Sequence, residues 1–338
     1  MNLSFERIEL IPKHVFRTAR TTSESSESVI VRLSDGEIEG LGEADPSRFY
    51  GETADTVVDF LERMRPQIEH AKHESELMAE LTSRGGTADP AARAALEIAA
   101  HDMMGKRHGK PLYRFLGLHP HDAPSTMMSI GLDEPEVMLR KAMEASGFPM
   151  LKIKLDAHID VSIVGVIKEV TGAVVTVDAN CSWSPAGAIE RIRELETIGV
   201  EFVEQPVAAD NIKGLKLVKK HTSTPIFADE SCPTSAEIPL VAKAVDGIVI
   251  KLMKCGGIVE AVKMAKMARK RGLKTMIGCM MESSLAITAA AHIAPLMDYA
   301  DLDSGLLLKN DPFVGVHIDC GKMTLPKEPG LGVHPAAP

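Results

Sequence analysis

The chain has 338 residues, 45% hydrophobic and 25% charged, which suits a globular protein with one large domain and a smaller one. A net charge of −9, with no run of lysine and arginine, argues against nucleic acid as a partner. No apolar stretch reaches about 18 residues, so no membrane-spanning helix is expected.

The opening residues, Met1 to Arg7, lack the basic-then-apolar layout of a signal peptide. The five cysteines are odd in number and contain no C-x-x-C pair, so a reducing, cytoplasmic setting is expected. Alternating segments at Ile8–Phe16 and Ser28–Leu33 predict antiparallel strands, with Ser34-Asp35-Gly36 as the turn into Glu37–Gly42. Asp89-Pro90 predicts a helix start, Asp89 as N-cap and Pro90 in the first turn. Ala92, Ala95, Leu96, Ala99 and Met103 continue that helix at its apolar spacing. Residues 1–120 therefore form an α+β domain, and 117–124 is the expected linker. The last 28 or so residues, rich in proline and glycine, are expected to return to it, so that 310–338 joins the first domain.

From Thr126–Leu132 onward the pattern changes. Short apolar runs end in a charged residue at Lys154, Asp178, Glu204, Asp229 and Lys251, at steps of 24, 26, 25 and 22 residues. A further 50 residues lead to Asp301, with room for one more unit around Lys274–Gly278. A strand, a helix and two loops need about 25 residues, because a parallel crossover takes roughly a dozen or more. Residues 125–309 thus predict a barrel of βα units with its charges gathered on one rim, where such barrels carry their active sites.

Three carboxylates on adjacent strand ends, Asp178, Glu204 and Asp229, repel unless a positive charge sits among them. An all-oxygen set on a rigid frame suits a hard divalent cation such as Mg²⁺. Any one of them alone could simply cap a helix or pair with a lysine; three at a common period favour the metal. Lys152 and Lys154 point to the same face of their strand. Crowding by each other and by a cation is expected to lower a lysine pKa towards neutrality. Lys251 lies four strands from Lys154, so the two place a base on each side of a bound carbon acid. Structural ion pairing with the acidic triad is the competing account. Lys254 is expected either to be solvated or to support the site from behind.

The segments Leu151-Lys152-Ile153-Lys154, Val177-Asp178-Ala179-Asn180, Val203-Glu204-Gln205-Pro206, Ala228-Asp229-Glu230-Ser231 and Lys251 to Gly257 together resemble the enolase superfamily, muconate-lactonizing subgroup. The helix from Ala94 to Lys106 resembles that family's capping-domain helix. The resemblance covers essentially the whole chain. It implies an α/β fold, a (β/α)7β TIM-like barrel with an α+β capping domain built from both termini. It further implies one Mg²⁺ per subunit on Asp178, Glu204 and Asp229, Lys154 and Lys251 as catalytic bases, and an enediolate stabilised by the metal and a lysine such as Lys152. By analogy it implies a homo-oligomer.

Asp301-Leu302-Asp303 resembles the D-x-D pair with which dipeptide epimerases grip a substrate ammonium group. The Gly278 to Ser284 segment, with Met281 facing the substrate, is similar to the seventh-strand segment of the same enzymes. Two capping loops, 17–22 and 44–51, should set side-chain specificity. Arg20 resembles the arginine that faces the acidic side chain in Ala-Glu epimerases; Arg48 is its rival, and Phe49-Tyr50 allows an apolar side chain instead. The expectation is a Mg-dependent isomerase, an epimerase of L-Ala-L/D-Glu type dipeptides. The alternatives are an epimerase of hydrophobic or cationic dipeptides, a cycloisomerase or o-succinylbenzoate synthase, a Schiff-base enzyme on Lys152, or a dipeptide-binding protein. Cys255-Gly256-Gly257 suggests weakly a phosphate cradle at a helix start.

Overall fold

The structure is a computed structural model, and it describes residues 1–84 and 89–337. An antiparallel meander of Asn2–Leu10, Ser26–Ser34 and Glu39–Ala44 opens the chain. The first strand lies earlier than expected, and only Phe16–Arg17 of the later part is extended. Pro12, which lacks an N–H, cannot extend the ladder. Asp35 forms the expected turn, its carboxylate accepting from the Glu37 and Ile38 amides.

Helices Ala54–His70 and Pro90–Arg107 pack on this sheet, and Glu74–Arg84 packs against Pro90–Arg107. The third begins where predicted but is not capped as predicted. Asp89 adopts a left-handed φ of 52° and makes no cap bond; its carboxylate pairs with Arg63 at 3.0 Å. Glu52 accepts from the Ala91 amide instead, at 3.0 Å. The helix is alanine-rich because the sheet comes so close. A Cβ on Gly42 would lie 1.9 Å from the Ala95 carbonyl oxygen, so only glycine permits the contact.

Eight parallel strands follow: Met128–Ile130, Met150–Lys154, Val174–Asp178, Val203–Glu204, Ile226–Ala228, Gly247–Lys251, Lys274–Gly278 and Tyr299–Asp301. They are hydrogen-bonded in sequence order. The Met127 amide donates to the Ala300 carbonyl at 2.9 Å, joining the first strand to the eighth. Helices separate successive strands, the (β/α)7β order. Among the described residues, no helix is long and apolar enough to cross a membrane.

Alternate residues of every strand point inward. The lower interior is a plug of Met127, Phe202, Phe227, Val249 and Met276, with Phe202 and Phe227 stacked at 4.2 Å. Further along the strands the inward positions hold Ser129, Lys152, Lys154, Asp178, Glu204, Asp229, Lys251, Gly278 and Asp301. The apolar layer below forces the charged layer above to neutralise itself.

Asp102 ties the two ends of the chain together: it accepts from Leu41 N at 2.9 Å, Leu331 N at 2.8 Å and Lys106 Nζ at 2.8 Å. His292 holds the same C-terminal segment. Its Nδ1 accepts from Tyr113 N at 3.1 Å, so Nε2 carries the proton and donates to the Leu331 carbonyl at 3.0 Å. Burial lowers the His292 pKa to about 4. The unfolded chain therefore binds a proton near pH 6.5 that the folded state refuses until about pH 4, and stability falls as pH drops through that window. Between pH 7 and 4 the unfolding free energy measured in urea should fall by about 3 kcal/mol more in the wild type than in His292→Gln. Equal slopes in the two proteins would refute the assignment.

Candidate active site

The strand ends carry every residue singled out from sequence except those of the capping loops. Asp178 and Glu204 are register partners, as are Lys154 and Asp178. Lys152 is the hub: its Nζ donates to Asp301 Oδ2 at 2.7 Å and lies 2.8 Å from Glu204 Oε2 and 3.4 Å from Asp178 Oδ2. Lys154 Nζ donates to Asp178 Oδ2 at 2.6 Å, and Lys251 Nζ to Asp229 Oδ2 at 2.9 Å. These two lysines stand on the second and sixth strands, opposite walls of an eight-stranded barrel.

Lys254 is not solvated. It is 2% exposed and donates to Asp229 Oδ1, the Asp229 carbonyl and the Val249 carbonyl, each at 2.7 Å. Asp229 is thus gripped from both sides by ammonium groups.

The fall in lysine pKa expected beside a bound cation belongs to the loaded site; the protein's own charges set the opposite direction at Lys152 and Lys251. Burial does work against the Lys152 ammonium, but Asp301, Glu204 and Asp178 outweigh it and hold its pKa well above the usual value. Lys251 is likewise raised, Asp229 overcoming its burial. Asp178 and Asp229 are buried, yet their lysines keep both carboxyls below the ordinary range. Glu204 goes the other way, pushed up to about 8 by burial and then by repulsion from Asp178.

The fit to a cation rests on unspent acceptors. Both Glu204 oxygens and Asn180 Oδ1 are buried without a hydrogen-bond donor, since Lys152 approaches Glu204 off the line such a bond needs. Buried acceptors of this kind cost free energy until something positive meets them. With Asp178 and Asp229 alongside, the donor set is all oxygen and suits Mg²⁺. Among the described residues no three acidic, imidazole or thiol groups close into a cage, because the Asp178 and Asp229 oxygens turn towards their lysines.

Asp301 and Asp303 do share one side, but both meet Ser129 of the first strand. Ser129 N donates to Asp303 Oδ2 at 2.6 Å, and Ser129 Oγ to Asp301 Oδ1 at 3.3 Å. Burial and the neighbouring Asp301 raise Asp303 to about 7. Met281 N donates to Asp45 Oδ2 at 3.1 Å, which places the Met281 loop against the capping domain. Arg20, at the tip of the hairpin joining Phe16–Arg17 to Thr22–Ser23, reaches the barrel mouth and pairs with Glu230 at 2.6 Å. Arg48 is exposed, while Phe49 lies under the Arg20 guanidinium, 4.4 Å from ring centroid to Cζ.

Sequence reasoning overlooked several supports. Gln205 adopts a φ of 35°, and its Oε1 accepts from the Asp229 and Ser231 amides at 3.0 and 3.1 Å, bracing one strand end against the next. It directly follows Glu204 in a quoted motif, which is the only signal the sequence carried. Ser129 was discoverable from parity with Met127. Gly278 takes the inward place on the seventh strand; a Cβ there would crowd Lys251 Cε at 3.2 Å. The Cys255-Gly256-Gly257 motif is not a phosphate cradle: Glu97 of the capping domain accepts from the Val259 amide and occupies that helix start.

Gln205→Ala would leave two buried amides unsatisfied, and a loss of about 2–4 kcal/mol in denaturant unfolding is expected. A loss below about 1 kcal/mol would show that Gln205 is not the brace.

Comparison with known proteins agrees with this geometry. Residues 6–117 match the mandelate racemase / muconate lactonizing enzyme N-terminal domain, and 136–337 the enolase C-terminal domain-like family. The L-Ala-D/L-Glu epimerase of Bacteroides thetaiotaomicron is 37% identical over 98% of this chain and 88% of its own. The substrate-liganded L-Ala-D/L-Glu epimerase from Bacillus subtilis superposes with a TM-score of 0.92 at 34% identity, covering 100% of this chain and 99% of that one. The dipeptide epimerase from Enterococcus faecalis, complexed with Mg and L-Leu-L-Tyr, gives a TM-score of 0.91 at 35% identity and 98% coverage of both chains. The chain belongs to the mandelate racemase / muconate lactonizing enzyme family of the enolase superfamily.

Proposed function

We propose that this protein is a Mg-dependent dipeptide epimerase of the L-Ala-D/L-Glu type, inverting the α-carbon of the C-terminal residue. The observation that carries the reading is the pair Lys154 and Lys251, on opposite walls of one charged layer, with Asp301 and Asp303 on the eighth strand. The homology to enzymes of that activity supports it. The free cysteines support a cytoplasmic location, and the family analogy a homo-oligomer.

Asp178, Glu204 and Asp229 would hold the metal. Bound there, the cation supplies positive charge against the negative charge that grows on the substrate carboxylate as the α-proton leaves. The chain's own residues do the rest. Lys152, kept cationic by its three carboxylates, adds a fixed positive charge beside that carboxylate. Asp301 and Asp303 accept hydrogen bonds from the dipeptide ammonium group and fix which carbon lies between the lysines. One lysine, neutral, takes the α-proton from its face. The other, an ammonium, returns a proton to the opposite face, and the configuration inverts. The two lysines have then exchanged roles, and solvent exchange resets them. Arg20 stands at the entrance, where the side chain of an acidic C-terminal residue would point.

In D₂O with Mg²⁺, turnover of L-Ala-L-Glu should incorporate one deuterium with inversion, and EDTA should stop it until Mg²⁺ is restored. Lys154→Ala and Lys251→Ala should each lower epimerisation by about 10²–10⁴-fold. Each variant should still exchange the α-proton of one epimer, and the two variants of opposite epimers. Inversion at the wild-type rate in either variant would refute the two-base arrangement.

A further inference from the structure

Glu230 follows Asp229 in the fifth-strand loop, and its side chain is only 1% exposed. It takes no part in the proton transfer. Among the described residues, the one cation within ion-pairing distance is Arg20, from the capping domain, with Nη2 2.6 Å from Glu230 Oε1. That approach is off the line of a hydrogen bond, and both Glu230 oxygens are without a donor. The rest of the Arg20 guanidinium lies over the Phe49 ring and against Cys181 Sγ at 3.6 Å. The hairpin that carries Arg20 is anchored at its base, where Leu132 N donates to the Arg17 carbonyl at 2.8 Å and Arg17 pairs with Asp133 at 3.2 Å. Its tip is fastened to the barrel through Glu230.

Arg20 therefore already has a carboxylate. A buried carboxylate that holds a guanidinium by charge but gives it no aligned hydrogen bond is a poor final partner and an easy one to replace. An incoming carboxylate able to accept in a bidentate fork would out-compete it for the same group.

We propose that Glu230 is a specificity-determining residue, a resident carboxylate with which an acidic substrate side chain must exchange to acquire Arg20. This rests on the dipeptide reading above. An apolar side chain requires no exchange: Arg20 stays on Glu230, the hairpin stays fastened, and the side chain meets the Phe49 ring. The acidic side chain gains Arg20 only at the cost of leaving Glu230 uncompensated. Glu230 thus narrows the preference for acidic dipeptides that Arg20 alone would create, and lets one loop serve both classes.

The test compares L-Ala-L-Glu with L-Ala-L-Met in Glu230→Gln, which keeps the volume beside Asp229 and removes the charge. KM for L-Ala-L-Glu is expected to fall about three- to tenfold, with KM for L-Ala-L-Met changed by less than about twofold. In an Arg20→Gln background the same Glu230→Gln change should no longer separate the two substrates. The double variant, which has no buried unpaired charge, should lose its preference for L-Ala-L-Glu over L-Ala-L-Met. An equal loss on both substrates would mean that Glu230 merely supports Asp229, and would overturn the proposal. So would a substrate-dependent shift that persists without Arg20. A wild-type protein that exchanges neither dipeptide would instead overturn the reaction itself.

Discussion

A single buried ammonium group organises this molecule. Lys152 Nζ meets carboxylates from the third, fourth and eighth strands, in a layer sealed from below by stacked aromatic and aliphatic side chains. Removing such charges from water costs several kcal/mol per ion unless each finds a partner of opposite sign. The layer meets that demand by alternation. Lys154, Lys251 and Lys254 each take a share of the remaining acids, and Glu204, with no aligned donor, is the member driven towards its neutral form. Strand order, side-chain parity and charge order are one constraint, because changing any of them would leave an ion alone in the barrel.

The capping domain is built on the same economy of partners. Glu43 accepts from Ser283 and the Ala286 amide, and Asp45 from Ser26, Ser28 and the Met281 amide. Glu97 reaches the start of the helix Ile258–Arg269. Acids of the small domain thus complete backbone donors of the large one. Burial raises the carboxyls of Glu43, Asp45 and Glu97, the last two to about 7. The contact between the domains is therefore partly polar, carried by buried carboxylates.

What the sequence revealed was whatever repeats locally. Strand ends were legible because each apolar run stops at a charge, and the inward face followed from counting by twos. The barrel and the residues of its charged layer could be read in this way. The supports could not. Glu52 capping a helix that Asp89 was expected to cap, Gln205 bridging to Asp229, and Ser129 receiving the Asp301 and Asp303 pair all depend on which distant residue arrives alongside. Lys152 and Lys154 are neighbours in sequence, so repulsion was the visible force, whereas their carboxylate partners come from strands 24 to 149 residues away. Residues 17–22 are legible as a capping loop, but not as a hairpin, and the Glu230 partner of Arg20 is hidden inside a motif read for the aspartate beside it.

The glycine at position 278 bears on how such a barrel could change its chemistry. Seven strands place a side chain in the charged layer and the seventh places none, which brings its backbone close against the aliphatic stem of Lys251. A larger residue at that one position would pin the stem on its own wall while leaving Lys154 untouched. Under the proposed two-lysine reading, symmetric handling of the two mirror-image faces would then give way to a one-sided base with a filled wall opposite, the layout suited to reactions that remove a proton without returning it. The close approach at Gly278 is thus a single-substitution path along which the same scaffold could drift from inverting a centre to committing it.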